Sequence, residues 1–277
     1  MRTLALVSLA VLALAGSVRA QAPATPPSAP APPAPRLAGY LGKAGIPNSI
    51  AILPPPPADG SLAEQADFAD FLAMRQLQGS PRWALAAQDA VNYFGAFDCP
   101  LGLSIDAKAT PRTFTLIRRI GADAGDITNL AKDHFARHRP LWGNAQPICT
   151  EDQRASLLKS ESYPSGHTTF SWAVGLVLAE MVPDKATEIL ARARAFGESR
   201  AVCGVHFVSD VEEGRTNGSA LVAALHSNDE FQADLKAAKA ELKAARAAAH
   251  TAPDAAQCKI AQDAEEHTPW INPTGVK

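Results

Sequence analysis

The chain has 277 residues, with 26 basic side chains against 28 acidic ones, a formal net charge of −2 and 47% hydrophobic residues. Balanced charge excludes the broad basic face that nucleic-acid polymers or an anionic membrane surface select, so any cationic site must be local. The length beyond the first 60 residues suffices for one domain with a sizeable core.

In chain order, residues 1–20, MRTLALVSLAVLALAGSVRA, join a basic residue to an apolar run from Leu4 to Ala15 and a small-x-small site at Val18-Arg19-Ala20. That run is too short to span a bilayer and nothing after it resembles a stop-transfer segment, so the pattern predicts an export signal cleaved after Ala20. Cleavage removes Arg2 and Arg19 and no acid, taking the formal charge from −2 to −4. Twelve of the 22 prolines fall between residues 21 and 57, which predicts an extended Pro-rich surface segment over 21–60. Folding is then expected over 61–250, with a C-terminal tail over 251–277. Four cysteines, Cys99, Cys149, Cys203 and Cys258, favour disulfides in an exported protein. Three pairings are possible, and no CxxC zinc spacing is present.

From Ser61 the pattern is helical almost throughout. Ser61 and Glu64 make a capping box ahead of Leu62, Phe68, Leu72 and Leu77, taken as the apolar face. Ser80-Pro81 and Thr110-Pro111 start two more helices, the second ended by Gly121. Asp123 or Asp126 starts another that Pro140 stops. The stretch TTFSWAVGLVLAEMV, apolar on nearly every face, reads as a central buried helix, interrupted by Ser171, Gly175 and Glu180 and too short to cross a membrane. Pro183 and Asp184 close it and start the next, and a further helix follows from about Phe207 to Leu225. The last places Phe231, Leu235, Ala238 and Leu242 along one side. Strand-like alternation is scarce, so the expected architecture is a single-domain, all-α helical bundle.

Three stretches carry chemistry. In AKDHFARHRP, Lys132 and Arg139 are seven residues apart, two helical turns or about 10 Å, close enough for both side chains to converge on one anion. In SYPSGHTTF, the N–H groups of Ser165, Gly166 and His167 are read as the free donors of a helix start, a natural phosphate site with His167 beside it. In GESRAVCGVHFVSD, His206 and Asp210 are one turn apart, so that the carboxylate can accept from one ring nitrogen and leave the other bare; Arg200 adds a forked donor. Each stretch alone also reads as an ordinary surface or capping feature. Together they are the parts for metal-free phosphoryl transfer through a phosphohistidine.

At this point the chain resembles a known family. KDHFARHRP, PSGH and SRAVCGVHFVSD, in that order, are similar to the three-part signature of the type-2 phosphatidic acid phosphatase and vanadium haloperoxidase superfamily. With SYPSGHT and an export signal, the chain looks like the class A bacterial non-specific acid phosphatases, from about ILPPPPADGS to the C-terminal helix. The resemblance implies that His206 attacks phosphorus and Asp210 orients it, while His167 protonates the leaving oxygen and then activates water. It implies that Lys132, Arg139, Ser165, Gly166 and Arg200 hold the phosphoryl oxygens. No metal or cofactor is expected, and vanadate should act as an inhibitor or transition-state mimic. Soluble phosphomonoesters are the expected partners, with no nucleic-acid polymer, no membrane span, and self-association of the chain. Glu161 departs from the glycine usual at that place, which bears on the shape and charge of the site's mouth.

Rival readings remain at this level. A vanadium-dependent haloperoxidase shares the whole anion site, and a non-catalytic phosphate-binding protein would keep the cradle without turnover. His134 and His138, one turn apart, could ligate a metal, although the surrounding cations oppose a divalent ion. Ser165 lacks the GxSxG setting of a hydrolase nucleophile.

Overall fold

The computed structural model describes residues 37–248 and 252–266. The export signal read over 1–20, the prolines of 21–36 and the end of the tail, 267–277, lie outside the described residues. Twelve α-helices and three single turns of 3₁₀ helix, joined by loops, run through the described residues, with no strand among them.

Residues 37–60 depart from the extended surface run expected of them. They form two one-turn helices, α1 (Gly42–Gly45) and α2 (Ser49–Ile52), and bury Tyr40, Ser49 and Leu53. Proline content argues against long helices but says nothing about docking. Here the backbone N–H of Tyr40 donates to Asp123 Oδ2 at 2.7 Å and Ser49 Oγ donates to the Ile127 carbonyl at 2.9 Å, pinning the segment to a distant helix.

The helix α3 (Leu62–Arg75) starts at Ser61, whose hydroxyl accepts from Glu64 N–H, as the capping pattern predicts. Its buried face is the opposite of the one expected. Leu62, Leu72 and Phe68 are 83%, 53% and 41% exposed, whereas Asp67, Phe71, Met74 and Arg75 are buried. Periodicity counts only apolar residues, and two of the four inward residues are charged. They are tolerated because each finds partners: Arg75 donates to the carbonyls of Ala201 and Val202 at 3.1 and 2.7 Å.

The helices α4 (Pro81–Asp89) and α6 (Pro111–Phe135) both carry proline at the first position. Between them lies the short α5 (Asp98–Leu101). Gly121 does not end a helix, nor does Asp123 or Asp126 start one, because α6 runs unbroken for 25 residues. The glycine is there for clearance, since a Cβ at 121 would lie 3.3 Å from the Phe170 ring. The helix stops at Phe135, before Pro140 is reached, as Ala136 turns left-handed at φ 48° and returns its N–H to the Lys132 carbonyl.

After the short α7 (Arg154–Leu157), the central α8 (Gly166–Met181) buries eleven of its 16 residues against α9 (Ala186–Val202), α10 (Val208–Leu225), α6 and α11 (Asp229–Ala247). Gly175 allows the close α8–α9 approach: a Cβ there would sit 2.4 Å from that of Ala193. Phe231, Leu235, Ala238 and Leu242 of α11 are all buried, on the side that their spacing predicts. The tail contains α12 (Ala255–Glu266), fastened to α5 by a Cys99–Cys258 disulfide. A second disulfide, Cys149–Cys203, ties the loop before α7 to the end of α9 and brings Cys149 N–H to the Cys203 carbonyl at 3.0 Å. No described helix is long and apolar enough to cross a membrane.

Candidate active site

Four junctions converge at one end of α8. They are the turn into its N-terminus, the loop leaving α6, the last turn of α9, and the loop from α9 into α10. Lys132 stands on the final turn of α6, whereas Arg139 lies beyond the Ala136 break, in the loop. Their convergence is therefore not the two-turn register read from spacing; the chain folds back to produce it. Lys132 Nζ donates to the Glu161 carbonyl. Position 161 thus contacts the lysine through its backbone, which any residue offers. Burial and the neighbouring Arg139 pull the Lys132 pKa down to about 7.

His206 is 3% exposed and precedes α10, while Asp210 sits inside that helix's first turn, so the pair meets across a helix start and not along one face. Asp210 Oδ2 accepts from Phe207 N–H at 2.9 Å, capping α10, and lies 3.3 Å from His206 Nδ1. On the other side of the ring, Arg139 Nη1 is 2.9 Å from His206 Nε2. A guanidinium can only donate, so Nε2 is bare and the ring hydrogen is on Nδ1, facing the carboxylate. Arg139 also donates to the Val205 carbonyl at 2.7 Å and to Ser160, which fixes its fork over the imidazole.

Sequence reasoning missed the residues that hold Asp210. Arg137 Nη1 donates to its Oδ1 at 2.7 Å, and Ser162 Oγ donates to Oδ2. Arg137 Nη2 in turn pairs with Asp67 of α3 at 2.8 Å, and Asp67 also receives the Ser209 N–H at 3.1 Å. Asp67 carries no local signal, since it acts across about 140 residues of chain to reach α10. Arg137 lies inside AKDHFARHRP and Ser162 opens SYPSGHT, but the sequence reading assigned a role to neither.

Ser165 caps α8: its hydroxyl accepts from Thr168 N–H, and its own N–H donates to the Asp210 carbonyl at 2.9 Å. The Ser165 amide is therefore not a free donor, contrary to the sequence reading. The N–H groups of Gly166 and His167 make no hydrogen bond among the described residues and remain available at the positive end of the helix. Arg200, on the last turn of α9, is 1% exposed, and its Nε and Nη1 have no hydrogen-bond partner among the described residues. Burial lowers its pKa to about 10, still fully charged in acid. An unsatisfied buried guanidinium beside two free helix amides is built for an anion.

Burial foremost, then the cations, push both histidines well below the usual range: Arg139, Lys132 and Arg200 act on His206, and Arg200 on His167. Unfolded histidines take up a proton near pH 6.5, and these two resist until lower pH, so acid favours the unfolded chain. Stability should be fully present above pH 6.5 and fall below it by about 1.4 kcal/mol per pH unit for each histidine. Urea unfolding between pH 7.5 and 5.5 checks this; flat or rising stability toward acid contradicts it.

A cleft of about 560 Å³ opens onto Lys132, Gly166 and His167, with Tyr93, Phe94 and Phe170 as an aromatic wall and Arg118 and Asn129 among its polar groups. It lies next to His167. The other histidine pair does not share a helix face: the break at Ala136 separates His134, edge-on to Phe135, from His138, which stacks 4.2 Å from Trp142. Among the described residues no group of three or more His, Cys, Asp and Glu is placed to hold a metal.

The sequence profile described as the PAP2 superfamily matches residues 116–232, a span that contains every one of the predicted site residues. An acid phosphatase of Zymomonas mobilis is 45% identical over 216 residues, covering 76% of this chain and 81% of that protein. Non-specific acid phosphatases of Providencia stuartii and Salmonella typhimurium are 40% and 36% identical, over 73% and 70% of this chain and 84% and 80% of theirs.

Proposed function

The chain belongs to the PAP2 superfamily, among its acid phosphatases, and from that premise we propose that it hydrolyses a broad range of soluble phosphomonoesters by a metal-independent phosphohistidine route. The observation that carries this reading is the bare Nε2 of His206, set by Arg139 on one side and Asp210 on the other. In this reading the phosphoryl oxygens take the Arg200 fork, the Gly166 and His167 amides, the Ser165 hydroxyl and Lys132. Arg139 swings from the imidazole to the phosphate as it binds, uncovering Nε2 for attack in line with the leaving oxygen. Asp210 stabilises the charge that appears on the ring.

Acid operation follows from the electrostatics. His206 stays neutral in acid because it is buried among cations. His167 must carry a proton to release the leaving oxygen, and in the free protein burial and Arg200 oppose it. A bound phosphoryl group reverses that local field, so the proton arrives with the substrate. Water activated by His167 then frees phosphate. An alcohol occupying the cleft in place of water would accept the phosphoryl group instead, giving a transferase side activity.

The export reading of residues 1–20 and the absence of free cysteines among the four support a periplasmic or secreted location. Exposed Leu62 and Leu72 on α3 support self-association. The test is hydrolysis of p-nitrophenyl phosphate at acid pH in a chelator. Turnover should persist and be inhibited by micromolar vanadate. Loss in the chelator with rescue by zinc or magnesium would overturn the metal-free route, and halide oxidation by peroxide with vanadate would favour a haloperoxidase.

A further inference from the structure

The segment between α4 and α5 brings Tyr93 to the acid side of the site. Its hydroxyl lies 2.7 Å from His167 Nε2, and the Ala90 carbonyl, at the end of α4, lies 3.2 Å from the same nitrogen. Its ring is wedged between His167, Phe170 and Phe196, with centroids 4.9, 5.2 and 6.0 Å away. We propose that Tyr93 is the positioning residue of His167: with the Ala90 carbonyl it holds Nε2–H in place, so that Nδ1 is the nitrogen that serves the leaving oxygen and then the attacking water. The proposal rests on the phosphohistidine reading above and deepens it.

A carbonyl only accepts, so its partner Nε2 carries a hydrogen, and the tyrosine oxygen can take a share of that hydrogen. The imidazolium then has Nε2–H bound to these two oxygens and Nδ1–H turned to the substrate. When Nδ1–H passes to the leaving oxygen and the P–O bond breaks, the ring is left as the Nε2–H tautomer with Nδ1 bare. That form is the base required for the second step, when Nδ1 takes a proton from water as its oxygen attacks phosphorus and the bond from phosphorus to His206 Nε2 breaks. One fixed tautomer serves both half-reactions with no ring flip between them. Burial keeps the Tyr93 phenol protonated throughout, so it acts as a dipole and not as an anion.

The charged groups facing His167 are otherwise unfavourable to its proton: Arg200 from α9, Arg139 and His206 from the loops after α6 and α9, and Lys132 across the cleft. Among the described residues the Ala90 carbonyl opposes them, and the Tyr93 oxygen lies against the same nitrogen at 2.7 Å. Removing the tyrosine oxygen should therefore make the imidazolium harder to form, and the alkaline limb of the pH profile should move down.

The experiment compares Tyr93→Phe with the wild type across phosphomonoesters whose leaving groups range from nitrophenol to simple alcohols. Phenylalanine keeps the ring packing. Alkyl esters should lose about tenfold in kcat with KM nearly unchanged, nitrophenyl ester should lose much less, and the alkaline limb should shift down by about half a pH unit or more. His167→Ala, measured on the same series, tests the acid role itself. If His167→Ala shows the leaving-group dependence and Tyr93→Phe shows neither that dependence nor a shifted limb, Tyr93 does not position the acid, while the phosphohistidine reading stands. If His167→Ala is itself indifferent to the leaving group, the reading beneath the proposal fails.

Discussion

Replacing His206 by alanine is expected to abolish hydrolysis, a loss on the order of 10⁴-fold or more in kcat, while phosphate binding survives. The loss follows because the other nitrogens of the site are committed elsewhere: the Lys132 amine is engaged by the Glu161 carbonyl, and His167, held at Nε2 by Tyr93 and Ala90, serves the leaving oxygen in the proposed mechanism. Binding survives for an equally local reason. Arg139 Nη1 now points at His206 Nε2 from 2.9 Å, and without the ring it has one competitor fewer for phosphate oxygens. The fold should tolerate the change, since Asp210 keeps Arg137, Ser162 and the Phe207 N–H. Single-turnover quenching of the wild type with labelled substrate, followed by peptide mapping, should put acid-labile label on residue 206 and none on the variant. Label on another residue, or a variant rate within tenfold of the wild type, contradicts the assignment.

Replacing Arg200 by methionine should separate stability from function. The guanidinium is 1% exposed with Nε and Nη1 unpartnered, so the free protein bears the cost of a desolvated, incompletely bonded cation. A side chain of similar length without charge removes that cost, and the free variant should be as stable as the wild type or more stable, by about 1–3 kcal/mol. Activity should move the other way, with kcat/KM down by about 10²–10³-fold, because the oxygens lose their forked donor in the transition state. Phosphate should raise the wild-type Tm through linkage and raise that of the variant far less. Arg200→Lys should not restore activity, lacking the fork. A variant that unfolds readily yet binds phosphate normally would show Arg200 to be a structural residue.

How much of this was legible in the sequence differs by element. The motif residues Lys132, Arg139, Ser165, Gly166, His167, Arg200, His206 and Asp210 could be chosen because each stretch couples a turn signal to a charged or ionisable side chain at short range. The buried α8 and the apolar side of α11 were legible through composition and spacing. The α3 face was not: its inward side holds Asp67 and Arg75, whose partners lie 70 to 140 residues away, and a periodic count of apolar side chains turns the helix the wrong way. Gly121 misled for a related reason, since a glycine that makes room for Phe170 looks in sequence like one that ends a helix.

From local chemistry alone came the helical class, the cap residues and the candidate anion-binding side chains, since backbone propensity and side-chain type act over a few residues. Folding in three dimensions decided everything that depends on who stands opposite: the Cys99–Cys258 and Cys149–Cys203 pairs, the tautomer of His206, the ladder from Asp67 through Arg137 to Asp210, and the tyrosine against His167. Hydrogen bonds and desolvation are set by contacts between remote segments, and those distances exist only once the chain has packed.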